Sequence, residues 1–276
     1  MHLLFGKPIA DQLLRDVANR ISSQHVVPGL AAILVGGDPA SLIYVGLKAR
    51  AADLVGVHFE QHTLPATATT AEVQKRVRDL NARPDIHGII VQLPLPETID
   101  TDAVIATLDP AKDADGFHPE TVARFLSGAV VVPPVFPRAL ITLLESTGVS
   151  LAGKRACIFA NSSLFTRVMV AALTPLSITA EDCMLLTTKE IETRLGVSDI
   201  VITAKGNPHF LSGSMVSPGT IVIDGGITRV GTSIFGDAEP ESFKTVSGYL
   251  TPVPGGVGPV TVAELINRVT ELAIDG

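Results

Sequence analysis

Apolar residues recur at helical spacing through residues 8–22, at Ile9, Leu13, Leu14, Val17 and Ile21, with charges between them. This predicts an opening helix. Pro28-Gly29 is a turn, and residues 30–35 form an unbroken apolar run ended by Gly36-Gly37-Asp38-Pro39. Such a run reads as a strand buried on both faces. Ser41 is the expected cap of a helix over 42–55, which Gly56 closes. Residues 57–64 alternate as a strand, a helix runs from Thr70 to about Ala82, and residues 86–93 make a second buried strand. Asp100 or Thr101 caps a short helix to Leu108. The pattern then breaks near residues 128–138, at Pro133, Pro134 and Pro137. It restarts with helices over 137–147, 164–176, 189–195 and 261–273, and strands over 155–160, 181–187, 200–204 and 220–224. Alternating strands and helices on both sides of the break predict an α/β chain of two domains with parallel sheets.

Composition narrows the function classes. The chain has 276 residues, 46% of them apolar, with no Trp and two Tyr. A net charge of −7 argues against a general nucleic-acid binder, which needs a basic face. The longest apolar runs are too short to span a membrane. The first residues lack a signal peptide's apolar stretch, so a soluble cytoplasmic protein is expected. Cys157 and Cys183 both lie in apolar surroundings; two free buried thiols in a reducing compartment are expected, with one disulfide between them as the alternative.

Four segments carry chemistry. Tyr44 and Lys48 stand at i and i+4, on one face of the predicted helix. A lysine packed beside a phenol can exchange protons near neutral pH; alone, the spacing equally describes a surface pair. Gln92 is the polar residue that ends the second buried strand, at the end that lines ligand crevices in α/β sheets, or serves as a satisfied core amide. Lys112-Asp-Ala-Asp-Gly-Phe-His118 sets two acids around a turn. A carboxylate there can grip a paired donor edge, although Asp-Gly turns are common on surfaces. His118 is expected to be structural, and no second ligand stands at metal spacing from it. Pro252-Val-Pro-Gly-Gly-Val-Gly-Pro259 is a rigid loop poor in side chains, which lets a ligand approach the backbone. Tyr-x-x-x-Lys also occurs in short-chain dehydrogenases, but there it follows the nucleotide unit and here it precedes it.

In this order and spacing, together with Gly36-Gly-Asp-Pro-Ala-Ser41 and Ile223-Asp-Gly-Gly-Ile227, the chain resembles the FolD family over nearly its whole length. These are bifunctional methylenetetrahydrofolate dehydrogenase/cyclohydrolases. The resemblance implies an N-terminal α/β folate domain, residues 1–136 with 258–276, because the last helix returns to it. It implies a C-terminal Rossmann-like domain over 137–257. The implied activity is oxidation of 5,10-methylenetetrahydrofolate with NADP, less often NAD, followed by hydrolysis to 10-formyltetrahydrofolate. Lys48 would be the general acid/base, Gln92 would orient it, Tyr44 would stack on the folate and Asp115 would hold the pterin. Val91, Leu93, Pro254, Gly255 and Gly256 would border the substrate. A homodimer is the usual family assembly, and no metal, nucleic acid or membrane partner is implied.

The cofactor half departs from the family's pattern. Ala160, Asn161, Ser162, Arg167 and Ile227 take the dinucleotide-binding positions, but Ala160 and Thr166 stand where the family has glycine. Glycine there permits close approach of backbone to phosphate. Two readings follow. Arg167 and Lys189 replace the lost contacts and the enzyme is bifunctional, or Phe165 and Thr166 obstruct the pyrophosphate and leave a cyclohydrolase or a repurposed folate paralogue. A non-catalytic folate-binding protein is a third reading, against which the Tyr44, Lys48, Gln92 and Asp115 set argues.

Overall fold

The structure, a computed structural model, describes residues 1–129, 132–184, 187–231 and 233–275. Part of the expected chain break, residues 130–131, and part of the expected 181–187 strand, residues 185–186, lie outside the described residues. Two compact units form, one from residues 11–135 and 262–276, the other from 1–10 and 136–261. The chain opens with strand β1 (His2–Leu3) and helix α1 (Gly6–Gln24), which runs across the division.

In the unit of residues 11–135 and 262–276, β2 (Gly29–Val35) is buried at every position, as its unbroken apolar run requires. Helix α2 (Pro39–Val55) follows, then β3 (His58–Leu64), α3 (Thr70–Asn81) and β4 (Gly88–Val91). The strands pair in parallel in the order β3-β2-β4. The cap of α2 is Asp38 rather than Ser41. Its carboxylate accepts from Ser41 N at 2.7 Å, so the helix begins at Pro39, where a missing N–H costs nothing. Short helices α4 (Thr101–Ile105) and α5 (Pro119–Leu126) come next; α5, which the pattern does not predict, is capped by His118. The core gathers Ala31, Ile33 and Val35 with Val73, Val77 and Ile89. Helix α6 (Val135–Ser146) leads into the other unit.

That unit holds β5 (Arg155–Ala160), α7 (Ser163–Leu173), β6 (Thr179–Asp182), α8 (Thr188–Leu195), β7 (Ile200–Ala204) and β8 (Ile221–Asp224). A short antiparallel pair, β9 (Thr228–Val230) and β10 (Ser233–Phe235), precedes β11 (Tyr249–Leu250). The sheet is parallel throughout, in the order β1-β11-β8-β7-β5-β6. Strand β1 thus ties the first ten residues to this unit through β11, not to the unit that holds the Tyr44/Lys48 helix. Alternate residues serve opposite faces, as a two-residue period dictates. Ile158, Ile200, Ile202 and Ile223 pack on one core, and Cys157, Phe159, Val201 and Val222 on the other. Each such isoleucine contributes about 1.5–3 kcal/mol by burial.

Cys157 and Cys183 form a disulfide, correcting the expectation of free thiols. The reason is register. Cys183 N donates to Ile158 O on the neighbouring parallel strand, which brings the two Cα atoms to 6.0 Å, within bridging reach.

Helix α9 (Val257–Asp275) closes the chain, and residues 262–275 of it belong to the unit of residues 11–135. There Arg20 donates to the Asn267 side chain. Among the described residues, no helix is long and apolar enough to cross a membrane.

Candidate active site

Helix α2 places the first two groups. Its start is fixed by Asp38 and its end by Gly56 in the left-handed region (φ 85°), so Tyr44 and Lys48 fall one turn apart, both half-buried. Gln92 comes directly after β4. Its backbone N–H donates to Ile33 O at 2.8 Å, so the sheet itself fixes its position. The side-chain oxygen accepts from Lys48 Nζ at 3.0 Å, and the amide nitrogen donates to Leu93 O at 2.8 Å. Both ends of the amide are engaged, which fixes its orientation and aims an acceptor at the ammonium.

Asp115 completes the group. The buried Asp113 carboxylate accepts from Gly116 N at 3.0 Å and from His118 N at 2.7 Å, which closes the turn beneath it. Gly116 has φ 81°, and a Cβ there would lie 2.8 Å from Pro134 Cα. Burial pushes the Asp115 carboxyl above the ordinary range. The Lys48 charge pulls it back and the Asp113 charge adds to the rise. Burial also raises the Tyr44 phenol. Tyr44, Lys48, Gln92 and Asp115 are thus brought together: a phenol, an ammonium, an amide and an acid with a tightened hold on its proton. Val91 is only 3% exposed and packs in the core, so it can offer a ligand little beyond its backbone. Leu93 is exposed.

Pro254, Gly255 and Gly256 belong to the other unit, in the loop between β11 and α9. Gly255 O accepts from Gly6 N at 2.8 Å, and a Cβ on Gly256 would meet Pro252 O at 2.7 Å. The loop is therefore tight as well as free of large side chains.

The same unit holds the nucleotide-type loop. Strand β5 lies beside β7, and the chain leaves it for β6 on one side before crossing back to β7 on the other. Doubly wound sheets bind ligands at the carboxyl edge of such a reversal. Ala160 ends β5 with its methyl buried, Asn161 is exposed, and Ser162 caps α7 by accepting from Phe165 N at 3.3 Å. Phe165 turns inward onto Phe136, with ring centroids 5.6 Å apart. Thr166 is fully buried, and its hydroxyl bonds the Asp182 carboxylate at 2.8 Å. Of the two readings of this loop, these contacts favour the one in which the cofactor still binds, because Thr166 is buried and engaged with Asp182 and Phe165 packs on Phe136. A dinucleotide fits this loop, with exposed Asn161 and Ser163 at the helix N-terminus and Arg167 and Ile227 also exposed.

Two acids hold the far loops of this edge. Asp224 accepts from the N–H groups of Gly226, Asp237 and Ala238, and Asp237 accepts from the Thr203 hydroxyl and from Lys205 N and Asn207 N. The sequence pattern singles out neither these roles nor Asp182, because the strand expected over 181–187 puts Asp182 near its start, whereas β6 ends there.

Comparison with known proteins agrees with this geometry over both units. The model for the tetrahydrofolate dehydrogenase/cyclohydrolase catalytic domain matches residues 4–115, and that for the NAD(P)-binding domain of the same family matches residues 134–275. The chain belongs to the tetrahydrofolate dehydrogenase/cyclohydrolase family. A bifunctional protein FolD from a Nitratiruptor species is 37% identical over 99% of this chain and 98% of its own. The crystal structure of the bifunctional FolD enzyme of Campylobacter jejuni superposes with a TM-score of 0.92 at 34% identity, covering 100% of this chain and 99% of that one. The Trypanosoma brucei FolD, solved with NADP and an inhibitor, gives 0.92 at 30% identity, covering 99% and 97%. Thr166, whose hydroxyl meets the Asp182 carboxylate, takes the position where the FolD pattern described above carries glycine.

Proposed function

We propose that the chain oxidises 5,10-methylenetetrahydrofolate to 5,10-methenyltetrahydrofolate and hydrolyses that product to 10-formyltetrahydrofolate. The observation that carries this reading is the Lys48–Gln92 hydrogen bond of 3.0 Å beside a half-buried acid that feels the Lys48 charge. A bound nicotinamide dinucleotide supplies the hydride acceptor for the oxidation, and Ala160, Asn161, Ser162, Arg167 and Ile227 are the residues that would hold it.

Hydrolysis is work for the chain's own side chains. Water adds to the electrophilic methenyl carbon and loses a proton; the ring C–N bond then breaks and the leaving nitrogen takes a proton. Lys48 is the group positioned to move both protons. Gln92 keeps the ammonium aimed, Tyr44 offers a flat apolar face for the folate ring, and Asp115 accepts hydrogen bonds from the pterin's donor edge. Leu93 and the backbone at Val91 flank that group. The roles of Pro254, Gly255 and Gly256 and a homodimeric assembly rest on the family resemblance, and a cytoplasmic setting rests on the sequence expectation alone.

The test supplies 5,10-methylenetetrahydrofolate with NAD or NADP separately and follows both oxidation and methenyl hydrolysis. Turnover of both steps is expected. Hydrolysis without nucleotide-dependent oxidation would reduce the reading to a cyclohydrolase, and neither step in folded protein would remove it.

A further inference from the structure

We infer that Asp182 makes this chain select NAD over NADP. The inference rests on the dehydrogenase reading above and names the dinucleotide which that reading uses. Asp182 is the last residue of β6 and stands level with Ile158 of β5, at the carboxyl edge of the sheet. It follows the end of β5 by roughly twenty residues, the place where a doubly wound nucleotide fold puts the acid that hydrogen-bonds the ribose 2′-hydroxyl. Enzymes that take a 2′-phosphate accommodate it with arginine instead.

The carboxylate is exposed and already oriented. Oδ1 accepts from Met184 N at 2.9 Å, and Oδ2 accepts from the Thr166 hydroxyl at 2.8 Å. A carboxylate has about four lone-pair sites, so about two stay open for neighbouring ribose hydroxyls. Thr166 gains a meaning that the glycine pattern hides. Where glycine would only let helix and strand approach, the threonine hydroxyl reaches under the first turns of α7 and fixes the acid. Loss of the glycine and presence of the acid are one device. A 2′-phosphate would bring about two negative charges against that carboxylate. The nearby cation of α8, Arg194, is engaged by Glu181 at 3.3 Å. Arg167 and Lys189 are exposed, and a phosphate-bearing cofactor would have to depend on them.

The test is equilibrium titration of NADH and NADPH by nicotinamide fluorescence, helped by a chain that contains no Trp. The unmodified protein is expected to bind NADH about tenfold more tightly than NADPH, or better. Asp182→Asn should shrink that ratio about fivefold, chiefly by tightening NADPH. Thr166→Val keeps the volume and removes the hydroxyl, and should weaken NADH and narrow the ratio; circular dichroism verifies that both variants fold. Equal or tighter binding of NADPH by the unmodified protein overturns the inference while leaving the dehydrogenase reading intact. A ratio unchanged by Asp182→Asn also overturns it. Binding of neither nucleotide, in protein that still hydrolyses methenyltetrahydrofolate, overturns the dehydrogenase reading and the inference together.

Discussion

Lys48 Nζ donates to Gln92 Oε1 at 3.0 Å, which couples a helix side chain to the end of a strand 44 residues further along the chain. The contact gives the lysine a fixed direction, which a flexible four-carbon stem otherwise lacks. Lys48→Met keeps the stem and removes the proton carrier. It should lower methenyl hydrolysis by about 10²–10⁴-fold while folate binding, followed by calorimetry, stays within a few-fold. Gln92→Ala should cost about tenfold and change the pH profile, because it leaves the ammonium present but unaimed. Unchanged hydrolysis in Lys48→Met would take Lys48 out of the chemistry.

Asp115 predicts an acid limb. Burial holds its carboxyl above the ordinary aspartate range, with Lys48 opposing and Asp113 reinforcing. Its carboxylate form is therefore lost at a higher pH than for an exposed aspartate, whose pKa is about 4. If that form binds the pterin, kcat/KM should begin to fall, as pH drops, above the usual aspartate range. Asp115→Asn should raise KM about tenfold at neutral pH and flatten that limb. An unchanged limb in the variant would assign it to another group.

The strands and most helices of both units are legible in the sequence because they carry strong periods; β2 is an apolar run buried at every position. Lys48 and the three groups set with it, Tyr44, Gln92 and Asp115, are legible through motif and order. What pattern reading misses depends on contacts made at long range. Helix α5 begins at a histidine cap, and β1 exists only because β11, far along the chain, offers an edge. Thr166 reads as a lost glycine until its hydroxyl is seen to meet Asp182, and the Cys157–Cys183 bridge follows from β5–β6 register rather than from spacing.

Asp224 predicts a stability change with pH. Burial pushes its carboxyl from 3.8 up to about 6, despite three N–H donors and with Asp237 adding to the rise. The folded state thus holds this proton more tightly than the unfolded chain does. From this group, stability is highest below about pH 4 and falls as pH rises through about 6, by about 3 kcal/mol in all. Asp224→Asn should abolish that downward slope. It should also cost about 1–3 kcal/mol near pH 4, where the amide replaces one acceptor needed by the loop N–H groups. Urea unfolding from pH 4 to 7 measures both; a slope unchanged in the variant would refute the assignment.

Glu60 predicts the opposite sign. Arg83 grips both its oxygens, at 2.7 and 2.8 Å, while His58 and His62 each approach one at 2.9 Å. The Arg83 hydrogen bonds, followed by that of His58, hold the carboxyl down from 4.5 to about 2. Stability from this group is present above about pH 4.5 and lost as pH falls through about 2. At neutral pH Glu60→Gln should cost about 1 kcal/mol, the scale of a well-formed surface pair. The difference from the unmodified protein should vanish in acid, as chemical denaturation at pH 2 and pH 7 would show. His58, Glu60 and Asp85 have atoms close enough together to suggest a metal site, but Arg83 already occupies both carboxylates, so zinc should not raise the unfolding midpoint.

The disulfide predicts a measurable dependence on reductant. Cys157 and Cys183 are 26 residues apart and join β5 to the residue just beyond β6. Closing a loop of that length removes freedom from the unfolded chain and contributes about 3 kcal/mol in the chain-entropy account. Protein unfolded without reductant should show no free thiol, because both cysteines are paired; two should appear after reduction. Reduction, or Cys157→Ser with Cys183→Ser, should lower the unfolding free energy of this unit by about 3 kcal/mol. The bridge also lies one residue from Asp182, so its loss should loosen the ribose-selecting acid and weaken NADH binding more than it affects methenyl hydrolysis. Two free thiols in the unreduced, unfolded chain would refute the pairing and with it both effects.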